Sequence, residues 1–298
     1  MRSIHCAICN NKENTQELYN ATFDINKITH KTFSARRTPD RIHYRFVTCK
    51  RCSLIFSNPI LPQNKIEHLY AKSTFTYSIE SNYLKKTYGQ YLMPLLKNYP
   101  LEKTKLLDIG CGNGFFLEEA KERGVGSVFG IEPGIASVKK APKWLQNNIK
   151  IGILQKGSFK DNSFDIICCF HTLDHIVDPN SFLETVYAFL KKGGKALFIV
   201  HDTNGLSVKL FSEKSPIFDI EHIYLFNKKS LEAIFKKNKF RVIQTFSVKN
   251  TYPILYWTRI LPLPNKMKAL LLSFLQNTKI GSIPISLKAG NIGIVVQK

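Results

Sequence analysis

The run Leu106-Leu107-Asp108-Ile109-Gly110-Cys111-Gly112-Asn113-Gly114-Phe115-Phe116-Leu117 constrains this chain more than any other segment. A short apolar stretch, sized for a buried strand, ends in alternate glycines and passes directly into a helical pattern. Glycines at such a turn permit positive φ and let a ligand come close to the backbone at a helix start. The spacing is not that of the dinucleotide fingerprint GxGxxG, because Phe115 stands three residues after Gly112. A second signal is Glu132, at the end of the next apolar run, Val128-Phe129-Gly130-Ile131-Glu132. A carboxylate at that strand end can accept both hydroxyls of a ribose.

The same β-then-α order continues through the centre of the chain. Apolar runs at Lys105–Ile109, Val128–Ile131, Ile149–Leu154, Phe164–Phe170 and Ala196–Val200 read as strands. Helical patterns at Phe115–Arg123, Ile135–Gln146 and Pro179–Lys191 separate them. Such alternation implies an α/β fold, a parallel sheet with helices on both faces. Ser230–Lys237 and Arg241–Val248 add a helix and a strand, and a last strand, Asn291–Gln297, follows only after an insert. Upstream, Ile66, Leu69 and Tyr70 mark one helical face, and Tyr83, Leu84, Tyr88, Tyr91, Leu92 and Leu95 another. The chain thus divides into 1–60, with paired cysteines, an Arg-rich stretch and a closing turn cluster at Asn58–Pro62; 61–100, a helical linker or substrate cap; and 101–298, the α/β domain with a helical insert at about 250–285.

At the glycine loop and Glu132 the chain resembles the class I S-adenosylmethionine (SAM) dependent methyltransferases. Three further segments are similar to that family: Phe159–Ile167, at its approach to the fourth strand; His171–Pro179, in the loop after it; and Leu190–Ile199, at the turn into the fifth strand. The resemblance covers about 104–248 and the final strand. It implies a Rossmann-like, seven-stranded, mostly parallel sheet whose last strand runs antiparallel, with SAM across the carboxyl ends of the first two strands. Carried over by position, Asp108, Gly110, Cys111, Gly112 and Gly114 would face the methionine and ribose part, and Glu132 the ribose hydroxyls. Phe170, at the end of strand four, is a further expected cofactor-binding residue, and the chain near Ile153 and Leu154 would flank the adenine.

Cys6-Ala7-Ile8-Cys9 and Cys49-Lys50-Arg51-Cys52 have the spacing of tetrahedral zinc knuckles. A knuckle wants positive φ just after its second cysteine; here those positions hold Asn10 and Ser53. Cys49–Pro59 is similar to a zinc-binding module found ahead of some methyltransferases, among them sugar methyltransferases. A structural Zn2+ held by Cys6, Cys9, Cys49 and Cys52 is expected. Cys168 and Cys169 fall mid-strand and read as core thiols.

Methyl transfer from a sulfonium mainly requires positioning, and a base only where the acceptor is a hydroxyl or an acidic carbon. The candidates follow strand ends: His171, Asp174 and His175 after strand four, and His201 and Asp202 after strand five. His222 precedes Ile223–Asn227, which resembles a stretch bordering the family's substrate pocket. His175 and His222 are the expected catalytic residues.

Charge bears on the partner. Lys and Arg number 43 against 22 Asp and Glu, a formal net of +21. The excess is +9 over residues 1–100, +2 over 101–200 and +10 over 201–298, and no acidic residue follows Glu232. Basic flanks suit an anionic acceptor, small or carrier-linked, and the resemblance of the cysteine module to that of sugar methyltransferases implies a nucleotide sugar or saccharide as the first expectation. An RNA methyltransferase is the alternative, disfavoured because Phe170-His171-Thr172-Leu173 replaces the Asn/Asp-Pro-Pro-aromatic motif of a base-amino methylase. A non-catalytic SAM-binding protein is a third reading. The apolar, cationic insert, with helical patterns at Pro253–Leu261 and Lys266–Gln276, suits a lid, a dimer contact or a peripheral membrane patch. No apolar run reaches the ~18–20 residues of a span, and MRSIHCAICNNK lacks a signal-peptide core, so a cytoplasmic protein is expected.

Overall fold

The chain begins with strands where the sequence shows only an absence of helical period. In a computed structural model, which describes residues 1–24, 28–29, 33, 40–72, 79–97 and 99–298, β1 (Thr15–Tyr19), β2 (Phe46–Cys49) and β3 (Ile55–Ser57) pair antiparallel in that order. Arg36 and Arg37 of the Arg-rich stretch lie outside the described residues. Helices α1 (Gln63–Ala71) and α2 (Ile79–Leu96) follow. The glycine loop joins β4 (Lys105–Ile109) to α3 (Phe115–Glu122), and β5 (Ser127–Glu132) comes next.

The single helix expected over Ile135–Gln146 is two short ones, α4 (Ile135–Val138) and α5 (Lys143–Gln146). Pro142 explains the break: it has no N–H to donate and disfavours helix at the residue before it. Strand β6 (Ile149–Ile151) stops short of the expected Leu154 because the chain turns at Gly152, with φ +141°. Then come β7 (Phe164–Phe170), α6 (Pro179–Phe189), and β8 (Leu190–His201), which starts earlier than the apolar run Ala196–Val200. Asp178 caps α6 by accepting from the Ser181 N–H, with Pro179 in the first turn.

The remaining elements are α7 (Leu206–Phe211), β9 (Tyr224–Leu225), α8 (Lys228–Lys237), β10 (Arg241–Ser247), β11 (Asn250–Pro253), α9 (Ile254–Ile260), α10 (Asn265–Gln276), β12 (Pro284–Leu287) and β13 (Asn291–Gln297). The insert therefore carries the two helices its pattern suggests and, in addition, an antiparallel hairpin of β11 with β12.

The main sheet has seven strands in the order β10-β13-β8-β7-β4-β5-β6. All neighbours are parallel except those of β13, which runs antiparallel to both β8 and β10. Alternation along β7 explains the two cores. Ile167 and Cys169 point to a cluster that holds Leu183 and Phe189 of α6, Phe235 of α8 and the Cys-bearing segment. Ile166 and Cys168 point to the opposite cluster, with Leu92 of α2 and Phe116 of α3. Both thiols are fully buried, and burial pushes each pKa well up, as inert packing groups require. Each large side chain buried this way is worth about 1.5–3 kcal/mol, and the two layers fix the strand ends against one another.

A second sheet ties the Cys-bearing segment to the rest. Its order is β1-β2-β3-β9, so Ile55 and Phe56 pair with Leu225 and Tyr224. Nothing in the short run Tyr224–Leu225 marks it as a strand; pairing to a distant edge makes it one.

Candidate active site

The glycine loop needs glycine for two different reasons. Gly110, Gly112 and Gly114 all have positive φ, a conformation costly for other residues. There is also no room: a Cβ on Gly110 would stand 2.3 Å from Thr172 Oγ1, and one on Gly114 would stand 2.4 Å from Leu145 Cδ2. The loop therefore lies flat between the ends of β4, β5 and β7, with its backbone open to a cleft of about 960 Å³. Asp108, Gly110, Cys111, Gly112, Glu132 and Phe170 line one half of this cleft. Gly114 lies behind them as the N-cap of α3. The Cys111 thiol packs where a Cβ on Gly130 would meet it at 2.5 Å, and burial pushes its pKa well up.

Glu132 is anchored by the backbone. Its Oε2 accepts the Gly112 N–H at 3.0 Å and its Oε1 the Gly134 N–H at 2.8 Å. Two oxygens offer about four acceptor directions, so both can still receive a hydroxyl. Burial raises the Glu132 pKa, and these two N–H groups hold it back. Asp108, also buried, is pushed well up by burial and then by the Glu132 charge. Two carboxyl groups in one buried end of a strongly basic protein make a place for a cation, and the sulfonium and ammonium groups of SAM fit that electrostatics. Ile153 and Leu154 line the same half of the cleft, and Phe170 stacks on Tyr88 of α2 with ring centroids 4.1 Å apart.

The other half is a histidine cluster around one carboxylate. Asp174 is fully buried; its Oδ2 takes His201 Nδ1 at 2.5 Å, while its Oδ1 has no hydrogen-bond partner among the described residues. His175 Nε2 stands 3.8 Å from that Oδ1, and His175 Nδ1 is 2.7 Å from the Tyr70 hydroxyl. His222 Nδ1 donates to the Ile217 carbonyl at 2.6 Å, which leaves Nε2 of the neutral ring with its lone pair. The rings of His171, His201, His222 and His175 follow one another with centroids 4.6, 4.4 and 4.9 Å apart. All four line the cleft. Asp202 does not: it takes the Asn204 N–H through Oδ1 and so caps a turn.

Burial alone would raise the Asp174 carboxyl, but the His201 imidazole beside it holds it well below the usual range. Burial drives His175 the other way from a free imidazole, down to about 3, against the pull of Asp174. His175 is therefore neutral in the folded chain at neutral pH. In the unfolded chain it takes its proton near 6.5. Between those values the unfolded state binds the extra proton, so stability from this group is complete above about 6.5 and is lost as pH falls toward 3. The depressed Asp174 adds to the same trend at lower pH; the raised Asp108 and Glu132 oppose it. Replacing His175 with Asn should remove about 2 kcal/mol of the stability that the wild type loses between pH 7 and about pH 4.5, measured by urea unfolding at both.

Sequence reasoning placed His175 and His222 here and grouped Asp174 and His201 with them. The sequence pattern marks Tyr70 only as part of a helical face and not as a site residue. Its hydroxyl reaches His175 across 105 positions of chain, a meeting that only the fold creates.

The four paired cysteines come together at the far end of β2. Cys6 Sγ lies 3.3 Å from Cys52 Sγ, and Cys9 Sγ lies 3.4 Å from Cys49 Sγ and 3.9 Å from Cys52 Sγ. Tetrahedral Zn–S bonds of ~2.3 Å place sulfurs about 3.8 Å apart, so the donor set fits a zinc ion. Asn10 and Ser53 have φ of 56° and 59°, and each donates its N–H to the first cysteine of its own knuckle at 2.8 Å. Burial would raise Cys49, yet the N–H groups of Cys52 and Arg51 and the neighbouring thiols bring it down to about 7.

A family model described as a methyltransferase domain matches residues 81–245. The ubiquinone biosynthesis O-methyltransferase of Pseudomonas entomophila (strain L48) is 30% identical over 106 residues, 34% of this chain and 45% of that protein. The tRNA U34 carboxymethyltransferase of Campylobacter fetus subsp. fetus (strain 82-40) is 29% identical over 167 residues, 52% of this chain and 58% of that one. The chain thus spans about half the length of the curated relatives it matches. Among solved structures, a chain in the complex between the Haloferax volcanii Trm112 methyltransferase activator and a methyltransferase aligns with TM-score 0.50 at 16% identity, over 73% of this chain and 92% of that one. That last likeness concerns the fold alone.

Proposed function

We propose, since this chain belongs to the methyltransferase-domain family and is a class I SAM-dependent methyltransferase, that it methylates a small or carrier-linked anionic acceptor, best a nucleotide sugar or other saccharide. The observation that carries the reading is the division of one cleft into a carboxylate-and-glycine half and a histidine half. When bound, SAM supplies an electrophilic methyl on its sulfonium. Asp108, the Gly110–Gly112 backbone and Glu132, which line that half of the cleft, would hold the donor. His222 Nε2 takes the proton from an acceptor hydroxyl or acidic carbon, while its Nδ1–H stays on the Ile217 carbonyl. The charge this creates is balanced by Asp174: one donor atom each of Asp174, His175 and His222 lie within 4.8 Å of one another. His175, kept neutral, and the Tyr70 hydroxyl orient the acceptor. Tyr252, Tyr256 and Trp257 line the cleft as an aromatic cluster, the first two rings 4.0 Å apart.

Ubiquinone biosynthesis and tRNA U34 appear in the names of other proteins, which this chain matches over about half their length. Tyr70, Asp219, Glu221 and His222 give the histidine half of the cleft polar groups that suit a polyhydroxylated ring. A structural zinc held by Cys6, Cys9, Cys49 and Cys52 belongs to the same proposal, supported by the sulfur spacing.

The test is transfer from labelled SAM to a panel of nucleotide sugars, lipid-linked saccharides, a quinol and tRNA, with wild type and His222→Asn. The Asn amide can keep the bond to Ile217 while removing Nε2. We expect kcat to fall by about 10²–10⁴ with S-adenosylhomocysteine affinity unchanged. Undiminished turnover in the variant would remove His222 from the mechanism. Methylation of tRNA or the quinol and of no saccharide would overturn the acceptor.

A further inference from the structure

Helix α10 buries one residue, Leu275, and leaves the rest of an apolar sequence outside. Leu270 is 74% exposed, Phe274 56% and Met267 49%, with Leu271 exposed beside them. At 100° per residue these four fall within an arc of about 100°, with Lys266 on one side of it and Lys268 on the other. An apolar stripe bounded by cations is what a helix presents to the interface of an anionic bilayer. The helix, at about 18 Å, is too short to cross the ~30 Å hydrocarbon core, and among the described residues no helix is long and apolar enough to do so.

The segment that follows α10 is also apolar and basic at the surface. Ile280, Ile283 and Leu287 are exposed, as are Lys279 and Lys288, and no acidic residue follows Glu232. Lys268 is pushed down by burial and then by Arg41, so like charges are already crowded here. A second copy would bring the same cations to the same place and be repelled, whereas an anionic surface would relieve them. Helix α10 packs on α9, which reaches the cleft. Ile260 and Leu261 at the end of α9, and Leu206 and Leu210 on α7, line the cleft, and Leu210 is 63% exposed.

We propose that the α10 face docks the mouth of the cleft on an anionic phospholipid surface, where a lipid-carried acceptor can enter without leaving the bilayer. The acceptor clause rests on the methyltransferase reading; the docking does not.

The experiment is flotation of the full chain with vesicles of phosphatidylcholine alone and of phosphatidylcholine with phosphatidylglycerol. Parallel samples carry Leu270→Glu/Phe274→Glu and Lys266→Glu/Lys279→Glu. Wild type should float with the anionic vesicles and not the neutral ones, and each double variant should lose roughly tenfold or more of its partition. S-adenosylhomocysteine binding without vesicles should be the same in all three proteins, so failure of the cofactor site is read separately. Equal partition to both vesicle types, or an apolar variant that floats like wild type, would overturn the proposal. So would a concentration-dependent dimer, seen by sedimentation and dissolved by Leu270→Glu/Phe274→Glu, without vesicle binding.

Discussion

Glu132→Ala should abolish S-adenosylhomocysteine binding, with a Kd in the micromolar range for wild type moving by about 10²-fold or more. The size follows from what one carboxylate does at this position. Two ribose hydroxyls donating to an ion contribute roughly 1.5–3 kcal/mol each, and losing both is worth two to four decades of affinity. The same oxygens also hold the Gly112 and Gly134 N–H groups, so truncation leaves those donors unpaired beside the ligand as well. Glu132→Gln sharpens the argument. Whichever way the amide turns, its NH₂ faces a backbone N–H, and one of the two anchors becomes a donor against a donor. We expect Gln to lose nearly as much as Ala, although it is the same size. Calorimetric titration of both variants, with thermal unfolding as a control for folding, decides the matter. A Gln variant that binds like wild type would show that the carboxylate charge and its acceptor pattern are not what holds the ribose.

How much of this was legible beforehand depends on how local each signal is. The loop from Leu106 to Leu117 and the strand ending at Glu132 carry their own instructions, and β4, β7 and β13 span the residues their apolar runs mark. The cysteine knuckles were equally local: spacing and the need for positive φ after Cys9 and Cys52 pointed to Asn10 and Ser53. By contrast, β9 is two residues long and exists through its pairing with β3. The β11–β12 hairpin lies inside a segment whose apolar period suggested only helices, because Pro253 and Pro284 close a pair that no single run reveals. In the acceptor half, the residue types were legible but their partners were not. His175 and Asp174 are neighbours in sequence, yet the first is tied to Tyr70 and the second to His201, and both ties need the sheet to be assembled.

Withdrawing metal from the Cys6, Cys9, Cys49 and Cys52 set should cost the most stability and should do so without touching the cofactor half. A bound zinc stabilises small thiolate sites by an apparent ~10–16 kcal/mol; if even a third of this is coupled to the fold, melting falls by about 10 °C. The contacts say where the loss would be felt. The Ala7 carbonyl accepts from Lys237 Nζ and Asn180 Nδ2, and the His5 carbonyl from the Tyr224 hydroxyl, so the first knuckle is pinned to α6, α8 and β9. From the second knuckle the chain runs through β3 to Ser57, whose Oγ donates to the His222 carbonyl and whose N–H donates to Ile223, both at 2.8 Å. The module therefore supports the backbone that carries His222, while Glu132 sits on the far side of β4. Cys49→Ser, or chelation of the wild type, should release the metal, lower the melting temperature and cut methyl transfer by about 10²-fold or more through His222. S-adenosylhomocysteine should still bind within about twofold at temperatures where the sheet stays folded. Metal analysis, melting and titration on one preparation separate the claims. A chain that carries no zinc and melts the same after chelation would end the structural-zinc reading. Loss of cofactor binding in step with the metal would mean that the two halves of the cleft fold as one unit.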